Sequence, residues 1–261
     1  MPIANTKIFL FVILLALSAD RQVCGKAHYK GVLYLNFVSS VKRKINLTVK
    51  KFAFYPLVSI CLFLTAATKH HSEEGWISLF DGKSLSGWKV GDNAGTFTVE
   101  NGSIVAHGPT AHLFYDGPVK QHDFKNFEFK AEVMTLPGSN SGIYFHTTFQ
   151  EKSWPTKGYE VQVNNSHTDW RRTGSLYGVQ DIKEVYVKDN EWFTEYFKVE
   201  GKRVIVKLND KTVVDYTEPD NVKRDPGSEG RVISSGTFAL QGHDPNSTVY
   251  FKNVVVKVLK D

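Results

Sequence analysis

Cysteine is almost absent from this chain: there are two in 261 residues, Cys24 and Cys61. From Gly75 onward there is none, which excludes a disulfide scaffold and any thiolate site from that stretch and leaves an ordinary apolar core to stabilise it. Long apolar runs are missing too. The longest, Ile8 to Ala19 and Phe52 to Ala67, fall short of the ~20 residues a membrane span needs, so no stable span is expected in the mature protein. A basic domain is absent despite the net charge of +5: residues 1–74 hold ten Lys or Arg against three Asp or Glu, and the remainder holds twenty-two against twenty-four. A near-neutral domain offers no electrostatic footprint for nucleic acid. HExxH, GxSxG, Walker-type loops and clustered metal-ligand spacings do not occur, so those chemistries have no support.

Residues 1–74 do contain the plan of an export signal, twice over. Lys7 precedes the first apolar run, and Lys42, Arg43, Lys44, Lys50 and Lys51 precede the second, which ends on the small residues Thr65 and Ala67. A positive start, a short apolar middle and small residues after it define such signals. Residues 1–74 are therefore expected to be a leader cleaved after Ala67, with natural initiation near Val41 on a GTG codon. Residues 75–261 are expected to form the exported domain, periplasmic or secreted. Cys61 invites lipid attachment, but Ile60 is bulky where a lipobox wants a small residue.

After Gly75 no stretch has helical periodicity, and strand signals are frequent. Phe127, Phe129, Ala131 and Val133 alternate with Glu128, Lys130 and Glu132; Thr96 to Val99 leads through Asn101-Gly102, a hairpin turn, into Ile104 to Ala106. Gly142 to Thr147, GYEVQVN at 158–164, Phe193 to Val199, Val204 to Leu208, Thr212 to Tyr216, Thr237 to Gln241 and Thr248 to Leu259 bring the total to about ten. Short strands spaced by Gly, Pro, Asn and Asp turns predict an all-β fold, a two-sheet antiparallel sandwich. The longest irregular stretch, Asn165 to Asp181, carries Trp170, Arg171, Arg172 and Tyr177. Loops of that length are usually functional or disordered, and aromatics with arginines favour function.

Three strands place polar groups on one parity. Glu160, Gln162 and Asn164 oppose Val161 and Val163; Asn140, Gly142, Tyr144 and His146 oppose Ile143 and Phe145; Gln241 and His243 oppose Leu240. A wet outer face explains one such row. Repetition on several strands points instead to a hollow that grips a ligand with many hydroxyls, as carbohydrate sites do with amides, acids and flat rings. Glu160 is the most telling member, because an acid between valines is costly to bury unless it is paired or working.

The segments GWISLFDGKSLSGWK, NFEFKAEV, PGSNSGIYFH, GYEVQVNN, TGSLYG, LNDKTVVDY, LQGH and VYFKNVVVKVL, in that order over Trp76 to Leu259, resemble the bacterial 3-keto-disaccharide hydrolase domain, a concanavalin A-like jelly roll. His146 stands where that family commonly has arginine, which bears on substrate orientation. Trp192-Phe193 replaces a Trp-Asn pair, and Gly236-Thr237-Phe238 replaces Gly-x-Ile, both as packing changes. The resemblance implies cleavage of glycosides already oxidised at carbon 3. A C3 ketone acidifies the C2 hydrogen, so a base can remove it; the enolate expels the C1 substituent and water adds back. Such a site needs one base, a cation or donor near the C3 oxygen, and a donor to the leaving oxygen.

On this reading Glu160 is the base, or a ligand if a divalent cation is bound, and His243 is the acid or second ligand. Asn140, Tyr144, His146, Gln162 and Gln241 hold the sugar, and Tyr177 with Arg171 or Arg172 closes over it. The metal stays open, because no ligand spacing is recognisable. Two alternatives remain: a noncatalytic sugar-binding module, and a laminarinase-type hydrolase. The second needs a nucleophile and an acid on one strand, as in E-x-D-x-x-E, and Gln162 and Asn165 leave its second carboxylate missing.

Overall fold

The computed structural model of the protein describes residues 74–261. The leader features, from the apolar runs to Cys61 and the start near Val41, lie outside the described residues. No helix among the described residues is long and apolar enough to cross a membrane.

Among the described residues thirteen strands form two antiparallel sheets. The larger orders β11 (Lys211–Thr217), β10 (Arg203–Leu208), β9 (Phe193–Glu200), β6 (Phe127–Thr135), β13 (Thr248–Val258), β4 (Ser103–His107) and β3 (Phe97–Glu100), with β1 (Trp76–Ser78) also on β13. The smaller orders β2 (Trp88–Val90), β5 (Ala111–Tyr115), β12 (Thr237–Gly242), β7 (Ser141–Thr147) and β8 (Tyr159–Val163). The alternation in β6 works as expected, with Phe127, Phe129, Ala131 and Val133 fully buried. These side chains meet the inner face of the smaller sheet, where Phe127 and Phe129 pack on Phe238 at ring distances of 4.9 and 4.8 Å; within the larger sheet Phe129 stacks on Phe197 of β9 at 4.7 Å. Phe238 is thus a core residue, as the packing reading of its segment requires.

β1, β2 and β5 are absent from the sequence reading. The first two have three residues each, too few to show a period, and every residue of β5 is buried, so alternation is lost. The irregular stretch is longer than 165–181: it runs from 164 to 192. Part of it nevertheless pairs with β8. Gly174 N–H donates to Gln162 O, Gln162 N–H to Ser175 O, and Tyr177 N–H to Glu160 O, at 2.8, 3.0 and 3.0 Å. This covers an open sheet edge and lays Tyr177 beside Glu160.

Glu195 on β9 points into the core with Phe193 and Phe197, and neither carboxyl oxygen makes a hydrogen bond. Burial, reinforced by the charge of Glu160, pushes its pKa well up. The folded state therefore keeps a proton that the unfolded chain releases, so this group's effect on stability worsens as pH rises above the ordinary carboxyl range. Glu195→Met is expected to raise Tm, with a larger gain at pH 8 than at pH 5; a gain equal at both would show that ionisation is not its source.

Candidate functional site

The outer face of the smaller sheet carries the site. Register places Tyr144 opposite Glu160, and Gly142 opposite Gln162, across β7 and β8; Gln241 of β12 lies opposite His112 of β5. Loops cover this face, so it is not a wet one: Glu160 is 5% exposed, Gln162 1% and Gln241 2%. A hollow of about 340 Å³ remains, lined by seven of the residues expected there: Asn140, Tyr144, Glu160, Gln162, Tyr177, Gln241 and His243.

Glu160 is fixed at both oxygens. Tyr144 O–H donates to Oε2 at 2.9 Å, and Gln241 Nε2 donates to Oε1 at 2.8 Å and to Tyr144 Oη at 3.1 Å. Burial nevertheless pushes its pKa up to about 7, against the pull of these two hydrogen bonds and of the Arg231 charge. A carboxyl poised near neutrality is suited to proton transfer. Gly142 makes room for it: a Cβ there would sit 2.3 Å from Glu160 Oε1. Gly142→Ala is expected to displace the carboxylate and lower kcat by at least tenfold while the chain stays folded; unchanged kcat would show that the carboxyl tolerates the shift.

Three buried polar atoms on this face have no hydrogen-bond partner: Gln162 Oε1, Gln241 Oε1 and His112 Nε2. Unpaired buried acceptors are rare and call for a ligand or water, and hydroxyls supply the donors the two amide oxygens lack. Burial, with the charge of His243, lowers the His112 pKa to about 4, so its ring is neutral.

His146, Arg171 and Arg172 do not reach the hollow. His146 has φ +56°, opposite a register shift between Thr237 and Ala239. This bulge inverts the parity that Asn140, Gly142 and Tyr144 share. The ring is buried against Phe127 and Phe145; Lys125 O lies 2.9 Å from Nε2, and Ser234 N–H donates to Nδ1 at 3.2 Å. The departure from the family's arginine therefore lies outside the hollow. Arg171 is ion-paired to Asp181 at 3.1 Å and Asp169 at 3.5 Å, and Arg172 Nη1 donates to Asn164 Oδ1, His167 O and Asp169 O. Both tie the loop to itself.

The guanidinium of the hollow comes from Arg231 instead, in the loop between β11 and β12. It lies over the Tyr177 ring at 5.0 Å, and Gly178 (φ +67°) allows the approach, since a Cβ there would meet Nη1 at 2.5 Å. Of the five arginines among the described residues, Arg231 alone has a side chain with no hydrogen bond or ion pair. Trp154 and Asp169 also line the hollow. Neither loop residue carries a sequence signal, because an irregular segment has no period from which to read direction.

His167, His243 and Asp244 each have a ligand atom within 4.8 Å of the others, close enough for a cation. Hydrogen bonds already engage these groups: His243 Nδ1 lies 2.7 Å from Asp244 Oδ2, and His167 Nδ1 accepts Asp169 N–H at 3.1 Å. Asp244 Oδ2 and the Nδ1 atom of each ring are thus already held in hydrogen bonds. Glu160 is likewise engaged at both oxygens. A larger groove of about 660 Å³ lies elsewhere, around Trp76, Tyr196 and Lys207 on the larger sheet. Two of its acids are engaged at the surface, Glu128 by Tyr196 O–H and Glu132 by Lys252.

Two facing antiparallel sheets with a polar, ring-lined hollow on the smaller one define a jelly roll of the concanavalin A-like class. The chain belongs to the family of 3-keto-alpha-glucoside-1,2-lyase-like domains, whose model matches residues 75–257. Solved structures share the fold. A candidate glycosyl hydrolase from Parabacteroides distasonis ATCC 8503 superposes with a TM-score of 0.61 at 24% identity, over 72% of this chain and 95% of that one. A second from the same organism gives 0.54 at 22%, over 70% and 99%. No curated protein matches the chain.

Proposed function

We propose that the hollow cleaves the glycosidic bond of 3-keto glycosides by C2 proton abstraction, elimination and hydration. The observation that carries this reading is the pairing of one near-neutral buried carboxyl, Glu160, with one unpaired guanidinium, Arg231, in a single hollow. Glu160 takes the C2 proton. Arg231 stabilises the charge that develops on the C3 oxygen, where a fixed cation in a water-poor site has most effect. The amide oxygens of Gln162 and Gln241 accept sugar hydroxyls.

A conventional displacement has one observation in its favour. Asp169 brings a second carboxylate to the lining from the loop, and Glu160, protonated below about pH 7, would be its acid. Cleavage of 3-keto-maltose or 3-keto-sucrose in D₂O separates the readings. Deuterium at C2 of the released 3-keto sugar is expected, above that of a no-enzyme control with the same product; cleavage without it would transfer the assignment to Asp169 and Glu160. Binding without any release of glucose from 3-keto-maltose or of fructose from 3-keto-sucrose would make the protein a sugar-binding module.

A further inference from the structure

We propose that the corner formed by Trp154, His243 and Asp244 is the leaving-group end of the hollow, where a second sugar ring lies on Trp154 and its departing oxygen takes a proton from His243, positioned by Asp244. The inference rests on the 3-keto glycoside reading and adds to it the class of the aglycone. Asp244 is itself held by three donors. Its Oδ2 is 2.7 Å from His243 Nδ1 and accepts Ser247 O–H at 2.8 Å, and its Oδ1 accepts Asn246 N–H at 2.8 Å. Burial works to raise its pKa, but these hydrogen bonds and the His243 charge outweigh it and keep the carboxyl ionised below the usual range. An ionised carboxylate on one ring nitrogen keeps the proton there. Nε2, which makes no hydrogen bond among the described residues, carries the second proton of the imidazolium form, and in the proposed step this is the proton given to the leaving oxygen.

Trp154 supplies the platform. Its side chain is large, apolar and 45% exposed, yet it lines the hollow, with ring centroids 5.4 Å from both His112 and His243. Gln150 Nε2 donates to Trp154 O at 2.8 Å and so braces the loop. A flat apolar face beside a proton donor suits a sugar ring whose glycosidic oxygen must leave.

The proton balance closes. In elimination the C2–H bond breaks and the proton goes to Glu160, the C1–O bond breaks with its electron pair going to the aglycone oxygen, and that oxygen takes the Nε2 proton. In hydration water oxygen bonds C1 and loses a proton to Nε2, while Glu160 returns its proton to C2. Both groups finish as they began, and one water is consumed.

The test compares 3-keto-sucrose with p-nitrophenyl 3-keto-glucoside, whose phenolate leaves without a proton. Asp244→Asn and His243→Gln are expected to lose about 10²-fold or more in kcat on the disaccharide, a loss at least ten times greater than on the aryl glycoside. Trp154→Ala should raise KM for the disaccharide about tenfold, and less for the aryl substrate. ¹⁵N spectra should show His243 protonated at Nδ1 in the parent protein. Equal losses on both substrates in folded variants would overturn the proposal, and a parent His243 protonated only at Nε2 would overturn it even if no variant folded. Glu160→Gln separates the two readings: loss of both activities there, with equal losses in Asp244→Asn, sinks only the leaving-group assignment.

Discussion

Glu160→Gln is expected to abolish turnover of 3-keto glycosides and, at the same time, to stabilise the protein. The loss of a positioned base costs about 10²–10⁴-fold in rate. The gain in stability follows from the direction of the pKa shift. Burial raises Glu160 from 4.5 to about 7, so the folded state holds a proton that the unfolded chain has released between those values, and folding loses free energy across that window. That rise corresponds to roughly 3 kcal/mol lost by pH 8 and almost nothing at pH 4. Denaturant titration of the glutamine variant should therefore show a gain that grows over that interval. The same value places the acid limb of kcat/KM near pH 7, with a tenfold fall per unit below it, because the base acts only when ionised. Near-normal turnover in this variant, or a flat profile from pH 5 to 8, would remove Glu160 from the chemistry.

Arg231→Gln is expected to lower kcat by about 10²–10³-fold, the usual cost of one donor to a developing oxyanion. A second signature distinguishes this from loose binding. The guanidinium charge helps keep Glu160 ionised, so its removal should move the acid limb of the pH profile to higher pH. Arg231→Lys keeps the charge and should leave the limb in place, while losing rate because an ammonium lacks the planar donor fork. A raised KM with unchanged kcat and an unmoved limb would assign Arg231 to ground-state binding alone.

Much of the fold is legible in local chemistry. The period-two pattern of β6, the Asn101-Gly102 turn and the valines of β8 each select one extended conformation, and the sheet assembly follows once the apolar faces must be buried. The three missed strands fail for a physical reason: two are too short to express a period, and β5 is buried on both faces. The site is legible where it lies on regular strands. Glu160, Gln162, Tyr144 and Gln241 project where parity sends them. His146 shows the limit, because one residue with positive φ inverts direction and nothing in NSGIYFH announces the bulge.

The amino-acid sequence by itself determined the all-β architecture, the polar rows and the identity of the central acid, since alternation along a strand is a local property of the backbone. Only the tertiary structure decided which charged loop residues meet that acid. Arg231, Trp154 and Asp169 reach the hollow, and Arg171 and Arg172 do not, because loop side chains are aimed by hydrogen bonds and packing between segments distant in the chain.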